Sequence, residues 1–102
     1  MAKFELPIYD VQTGDVEKTV KRNFMPVSLY IRFQKLAEKI GADKVKSDEA
    51  MFDLLQDLFL ETFPELTKDE YRNQTDIAEV LQMWAAILDK STKIAEGDSK
   101  NG

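Results

Sequence analysis

The chain has 102 residues, 43% hydrophobic and 32% charged, with 14 basic against 19 acidic side chains and a net charge of -5. That is the composition of one soluble globular domain with a modest core, and its sign opposes general attraction to phosphate backbones or anionic lipid. The absence of cysteine and histidine excludes disulfides, thiolate chemistry, a Ser-His-Asp triad and the commonest zinc ligand.

Residues Lys3 to Phe24 read as a β-hairpin. Phe4, Leu6 and Ile8 alternate with Lys3, Glu5 and Pro7, the period of a half-buried strand. Val16, Lys18 and Val20 alternate with Glu17, Thr19 and Lys21 in the return strand. Gly14 supplies a positive φ for the turn between them. Pro7 donates no hydrogen bond, so its strand belongs at an edge.

Pro26 and Gly41 bracket a first helix over 26–40, with Leu29, Phe33, Leu36, Ala37 and Ile40 at helical spacing and Lys35, Glu38 and Lys39 on its solvated side. Ser47 is positioned to cap a second helix that stops at Phe63, before Pro64. Its Met51, Leu54, Leu55, Leu58 and Thr62 form one stripe, and Phe52, Phe59 and Phe63 form another beside it. Together they cover about half the circumference, more than one helix-on-helix contact needs. Thr67-Lys68-Asp69-Glu70 is a capping-box pattern that predicts a short helix to Asn73. Asp76 or Thr75 then caps a last helix whose apolar face carries Ile77, Val80, Leu81, Trp84, Ile87, Leu88 and Ile94. The expected architecture is mainly α: a single domain over 1–95, three to four helices with an N-terminal hairpin at 3–24, and a disordered tail at 96–102, which has no apolar residue.

No Gly-rich phosphate loop, Gly-x-Ser-x-Gly elbow or calcium-loop spacing occurs. The carboxylate pairs Asp48/Glu49, Glu61/Glu65, Asp69/Glu70 and Asp76/Glu79 cluster at predicted helix N-termini, where capping and solubility account for them. Neither catalysis, a metal nor a cofactor is therefore expected. No apolar run approaches the roughly 20 residues that span a bilayer. Glu5, Pro7 and Asp10 interrupt any signal-peptide core, so a cytoplasmic location is expected. Lys18, Lys21 and Arg22 are the one short basic cluster along the sequence. A small DNA-binding regulator is the alternative function, and the acid-rich last helix argues against nucleic acid as the partner.

The positive signal is apolar surface. Met51, Phe52, Phe59, Phe63 and Met83 are the candidate partner-binding residues: the second helix is apolar over more than one face, and Met83 lies off the stripe centred on Trp84. Such a surplus predicts self-association, a groove for a partner helix, or both.

Three stretches resemble phage tail assembly chaperones. These are Phe4-Glu5-Leu6-Pro7-Ile8 with the hairpin through Val20; Phe24-Met25-Pro26-Val27-Ser28-Leu29-Tyr30 leading into the segment Arg32 to Lys39; and Leu66 to Tyr71 ahead of the last amphipathic helix. More narrowly, the chain resembles the tape-measure-protein chaperones of siphophages that infect lactococci and related bacteria. The resemblance implies a protein of the host cytoplasm that coats apolar helices of the tape measure protein until the tail tube closes. It also implies homo-oligomers, with no catalytic residues to carry over.

Overall fold

A computed structural model describes the backbone of residues 4–42 and 49–101, and side chains as far as Asp89. Strand β1 (Phe4–Tyr9) pairs antiparallel with β2 (Val16–Arg22), with Leu6 opposite Val20 and a register shift between Ile8 and Tyr9. Phe4, Leu6 and Ile8 are buried, as their alternation requires, whereas Val20 is the only buried residue of β2 and Val16 is exposed. The turn is built from short polar side chains. Asp10 Oδ1 accepts from the amides of Gln12 and Thr13 at 2.8 and 3.2 Å, and Gly14 takes φ 77°. Both strands are sheet edges, so the missing amide of Pro7 is tolerated.

Helix α1 (Val27–Gly41) starts from Pro26 as its cap residue and buries Leu29, Phe33 and Leu36. Gly41 is its last helical residue and Ala42 the C-cap, one position later than the sequence predicts. Helix α2 (Glu49–Thr62) buries Met51, Leu55, Leu58 and Phe59; its predicted cap, Ser47, lies outside the described residues. Among the described residues, the two buried polar side chains both have partners. Thr62 Oγ1 donates to the Leu58 carbonyl at 2.7 Å, and Gln56 Oε1 accepts from Arg72 Nε at 2.7 Å.

Helix α3 (Lys68–Asn73) is held by the predicted box: the Glu70 amide donates to Thr67 Oγ1, and the Thr67 amide to Glu70 Oε1. Helix α4 (Ile77–Asn101) is capped by Asp76, whose Oδ2 accepts from the Glu79 amide at 3.2 Å. Thr75 instead turns its hydroxyl back to the Tyr71 carbonyl. The backbone of α4 is helical through the segment expected to form the tail, and Ile94 lies beyond the described side chains.

Helices α1 and α2 pack together, α4 lies against α1 and β1, and α3 closes on α2. The core therefore has walls on several sides of α2, with Phe33, Phe59 and Phe63 at its centre. Polar ties fasten the hairpin to the helices. Tyr9 donates its hydroxyl to Glu79 Oε1 at 2.5 Å, the Tyr9 amide donates to the Gln74 carbonyl at 2.7 Å, and Lys18 pairs with Glu70 at 2.7 Å.

Candidate partner-binding surfaces

Four of the five residues picked from the sequence lie in the core. Phe59 and Phe63 are 0% and 1% exposed, Met51 7% and Met83 8%, while Phe52 is half-buried against them. The surplus apolar area expected on α2 is thus largely covered within the subunit. One helix-on-helix contact could not cover it; α1, the short α3 and the aromatic cluster do so jointly. Phe59 meets Phe33 of α1 and Tyr71 of α3, with ring centroids 5.9 and 5.8 Å away. Met83 faces the hairpin across a shallow depression shared with Phe4 and Pro7, so the buried line of α4 is Val80, Met83 and Ile87. Trp84, expected at its centre, is displaced to the flank.

That displacement creates an apolar groove of about 290 Å³ lined by Ala37 and Ile40 of α1, Met51 of α2, and Leu81, Trp84, Ala85 and Leu88 of α4. Every lining side chain is apolar. Leu81 is 39% exposed, and the Trp84 indole is fixed by donating Nε1 to the Phe33 carbonyl at 3.3 Å. Residues 77, 81, 84 and 88 recur at steps of four, three and four, so Ile77 continues the same stripe. Ile77 also opens onto a neighbouring depression floored by Phe52, Tyr71 and Val80. Met51 and Phe52 therefore reach recesses from below, whereas Phe59 and Phe63 line neither of these two. The sequence reading missed the groove because it centred the buried stripe on Trp84. The signal present was the second apolar line, 77–81–84–88, beside 80–83–87.

The perturbed titratable groups of α3 serve the fold. Burial pushes the Tyr71 phenol up to about 12, with its hydroxyl donated to the Phe52 carbonyl at 3.0 Å. The Lys18 ammonium hydrogen-bonded to Glu70 holds that carboxyl below its usual range. The basic cluster of the sequence is likewise engaged. Lys18 is on Glu70, Lys21 lies 3.9 Å from Glu5, and Arg22 donates to the carbonyls of Phe24, Glu61 and Thr62. A different cation row emerges in space, Arg32, Lys35 and Lys39 along one edge of α1, with the helical spacing i, i+3, i+7 as its signal in the sequence. Among the described residues no three acids gather into a cation site, and no helix is long and apolar enough to cross a membrane.

Comparison with known proteins found no match among curated proteins and none among solved structures. A family model described as phage tail chaperone protein matches residues 1–102. A mainly helical chain with an N-terminal hairpin, an open apolar groove and a match over its whole length belongs to the phage tail chaperone family.

Proposed function

We propose that this chain binds apolar helical segments of the tape measure protein in the host cytoplasm and keeps them from aggregating until the tail tube assembles around them. The observation that carries this is the groove between α1, α2 and α4: it is wholly apolar, open, and held in shape by the Trp84–Phe33 hydrogen bond. An amphipathic client helix laid into it hides its own apolar stripe together with Leu81 and Trp84. Each large apolar side chain so covered contributes about 1.5–3 kcal/mol. One groove then gives a moderate, releasable contact, and several subunits along one client give avidity. Such reversibility suits a factor displaced by tail-tube subunits, and self-association of the chain would extend the coat.

In this arrangement Met51 contacts the client as part of the groove, and Phe52 and Met83 face adjoining recesses. Phe59 and Phe63 support the surface from beneath. Co-expression with the tape measure protein tests the proposal. The client is expected to be recovered soluble and to co-purify with this chain. A client equally soluble without it overturns the proposal. Light scattering is expected to show mass rising with concentration.

A further inference from the structure

A second trough, of about 210 Å³, runs between α1 and α2. Its floor is leucine: Leu36 and Leu58 are sealed, but Leu54 is 41% exposed. The α1 wall is cationic. Arg32 is held by Glu61, whereas Lys35 and Lys39 have no ion-pair partner among the described residues. These two ammonium groups beside an exposed leucine are a marked local reversal in a chain of net charge -5. Asp57 stands on the α2 side.

We infer that this trough takes the carboxylate-bearing edge of an amphipathic client helix, with the client's apolar stripe on Leu54; this rests on the chaperone function proposed above. The argument is charge complementarity in register. Lys35 and Lys39 are one helical turn apart, about 6 Å along the axis. Two carboxylates at i and i+4 on a helix lying alongside α1 repeat that spacing. Asp57 repels a second acidic edge, so a client with acid on one edge only is preferred and its rotation about its own axis is fixed. The apolar groove has no such discrimination. The two surfaces divide the work: the groove tolerates any greasy helix, and the trough selects those with one acidic edge.

The test uses the full chain and two labelled synthetic peptides of roughly 20 residues, long enough to form a helix on binding. Both carry Leu and Ala on one face; one has Glu at i and i+4 along one edge, its twin Lys. By fluorescence anisotropy at low salt the Glu peptide is expected to bind about tenfold tighter, the order of two exposed ion pairs replaced by two repulsions, and the gap is expected to narrow as salt rises. The double substitution Lys35→Glu/Lys39→Glu is expected to reverse the preference while circular dichroism stays unchanged. Equal affinity of the twins, or a preference that survives the double substitution, overturns the inference. The same variant is co-expressed with the tape measure protein, where reduced recovery of soluble client is expected. Full recovery overturns the trough as a client surface and leaves the chaperone function standing. A client that gains nothing even from the unsubstituted chain overturns that function, and the twin peptides still decide the trough. A change in mass of the substituted chain alone, by light scattering, makes the occupant a second copy and also overturns the inference.

Discussion

Phe33 of α1 and Phe59 of α2 meet edge to face, with ring centroids 5.9 Å apart and planes inclined at 74°. Both are fully buried, and Phe59 also touches Phe63 and Tyr71. One ring thereby joins α1, α2 and α3, and its removal cannot be repaired by any single neighbour. Phe59→Ala is expected to cost about 3–5 kcal/mol, a large share of the ~5–15 kcal/mol that holds a domain folded. Urea unfolding checks this, with the half-buried Phe52→Ala as comparison. Equal shifts of midpoint for the two variants would refute a core centred on Phe59.

The hairpin and the helix caps were legible because they are local. Alternation turns Phe4, Leu6 and Ile8 inward, and the Thr67–Glu70 box needs only four consecutive residues. The covering of α2 was not legible. A helical wheel reports how wide an apolar band is, not how many elements meet it, and Phe59 is enclosed by residues 26 positions before it and 12 after it (Phe33, Tyr71). Met83 was misplaced for the same reason: its neighbour is the hairpin, nearly the whole chain away. Conversely Leu54, on the same stripe of α2 as the buried Leu55 and Leu58, is 41% exposed because α1 presents lysines, not a further apolar row, beside it.

The box at the start of α3 separates two contributions. Thr67→Ala removes the acceptor for the Glu70 amide and is expected to lower stability by about 1 kcal/mol. Chemical denaturation measures it. No loss would mean that α3 is held by its other ties, Tyr71 packing and the Arg72 and Glu70 side chains, and not by the Thr67 hydroxyl.

Glu70→Gln leaves an oxygen for the Thr67 amide but ends the ion pair with Lys18. The pair lowers the folded pKa of Glu70 below its unfolded value. The stabilisation is therefore present above the unfolded value, near 4.5, and is lost as pH falls through the lower folded value. The unsubstituted chain is expected to lose more stability than Glu70→Gln over that acid window, with the two curves converging below it. Thermal unfolding across the window checks this, and parallel curves would contradict it.

At the alkaline end the sign is set by Tyr71. Burial raises its phenol to about 12 in the folded chain, so the unfolded chain releases the proton first, near 10. Its contribution is intact below pH ~10 and declines as pH climbs through the folded value. Tyr9, raised by its hydrogen bond to Glu79, acts in the same direction. Tyr71→Phe is thus expected to shallow the alkaline loss of stability without abolishing it. Ultraviolet titration should show one late-ionising phenol fewer in that variant, with Tyr9 still raised. An unaltered titration curve at high pH would assign the lost phenol elsewhere.

Leu81→Glu tests the groove without disturbing what lies beneath. Leu81 is 39% exposed on the flank of α4, while Val80, Met83 and Ile87 carry the core contact. Exposed substitutions of this kind typically change stability by no more than about 0.5 kcal/mol. A client helix seated over the new carboxylate would strip it of water with no partner to replace it, a penalty far larger than the fold itself bears. Soluble client recovered on co-expression is therefore expected to fall sharply while the melting temperature holds. Val27→Glu is the control, since Val27 is 74% exposed at the start of α1 and is not among the groove residues. If both variants rescue the client equally, exposure of apolar side chains is not what this chain uses to hold its partner, and the groove loses its assignment.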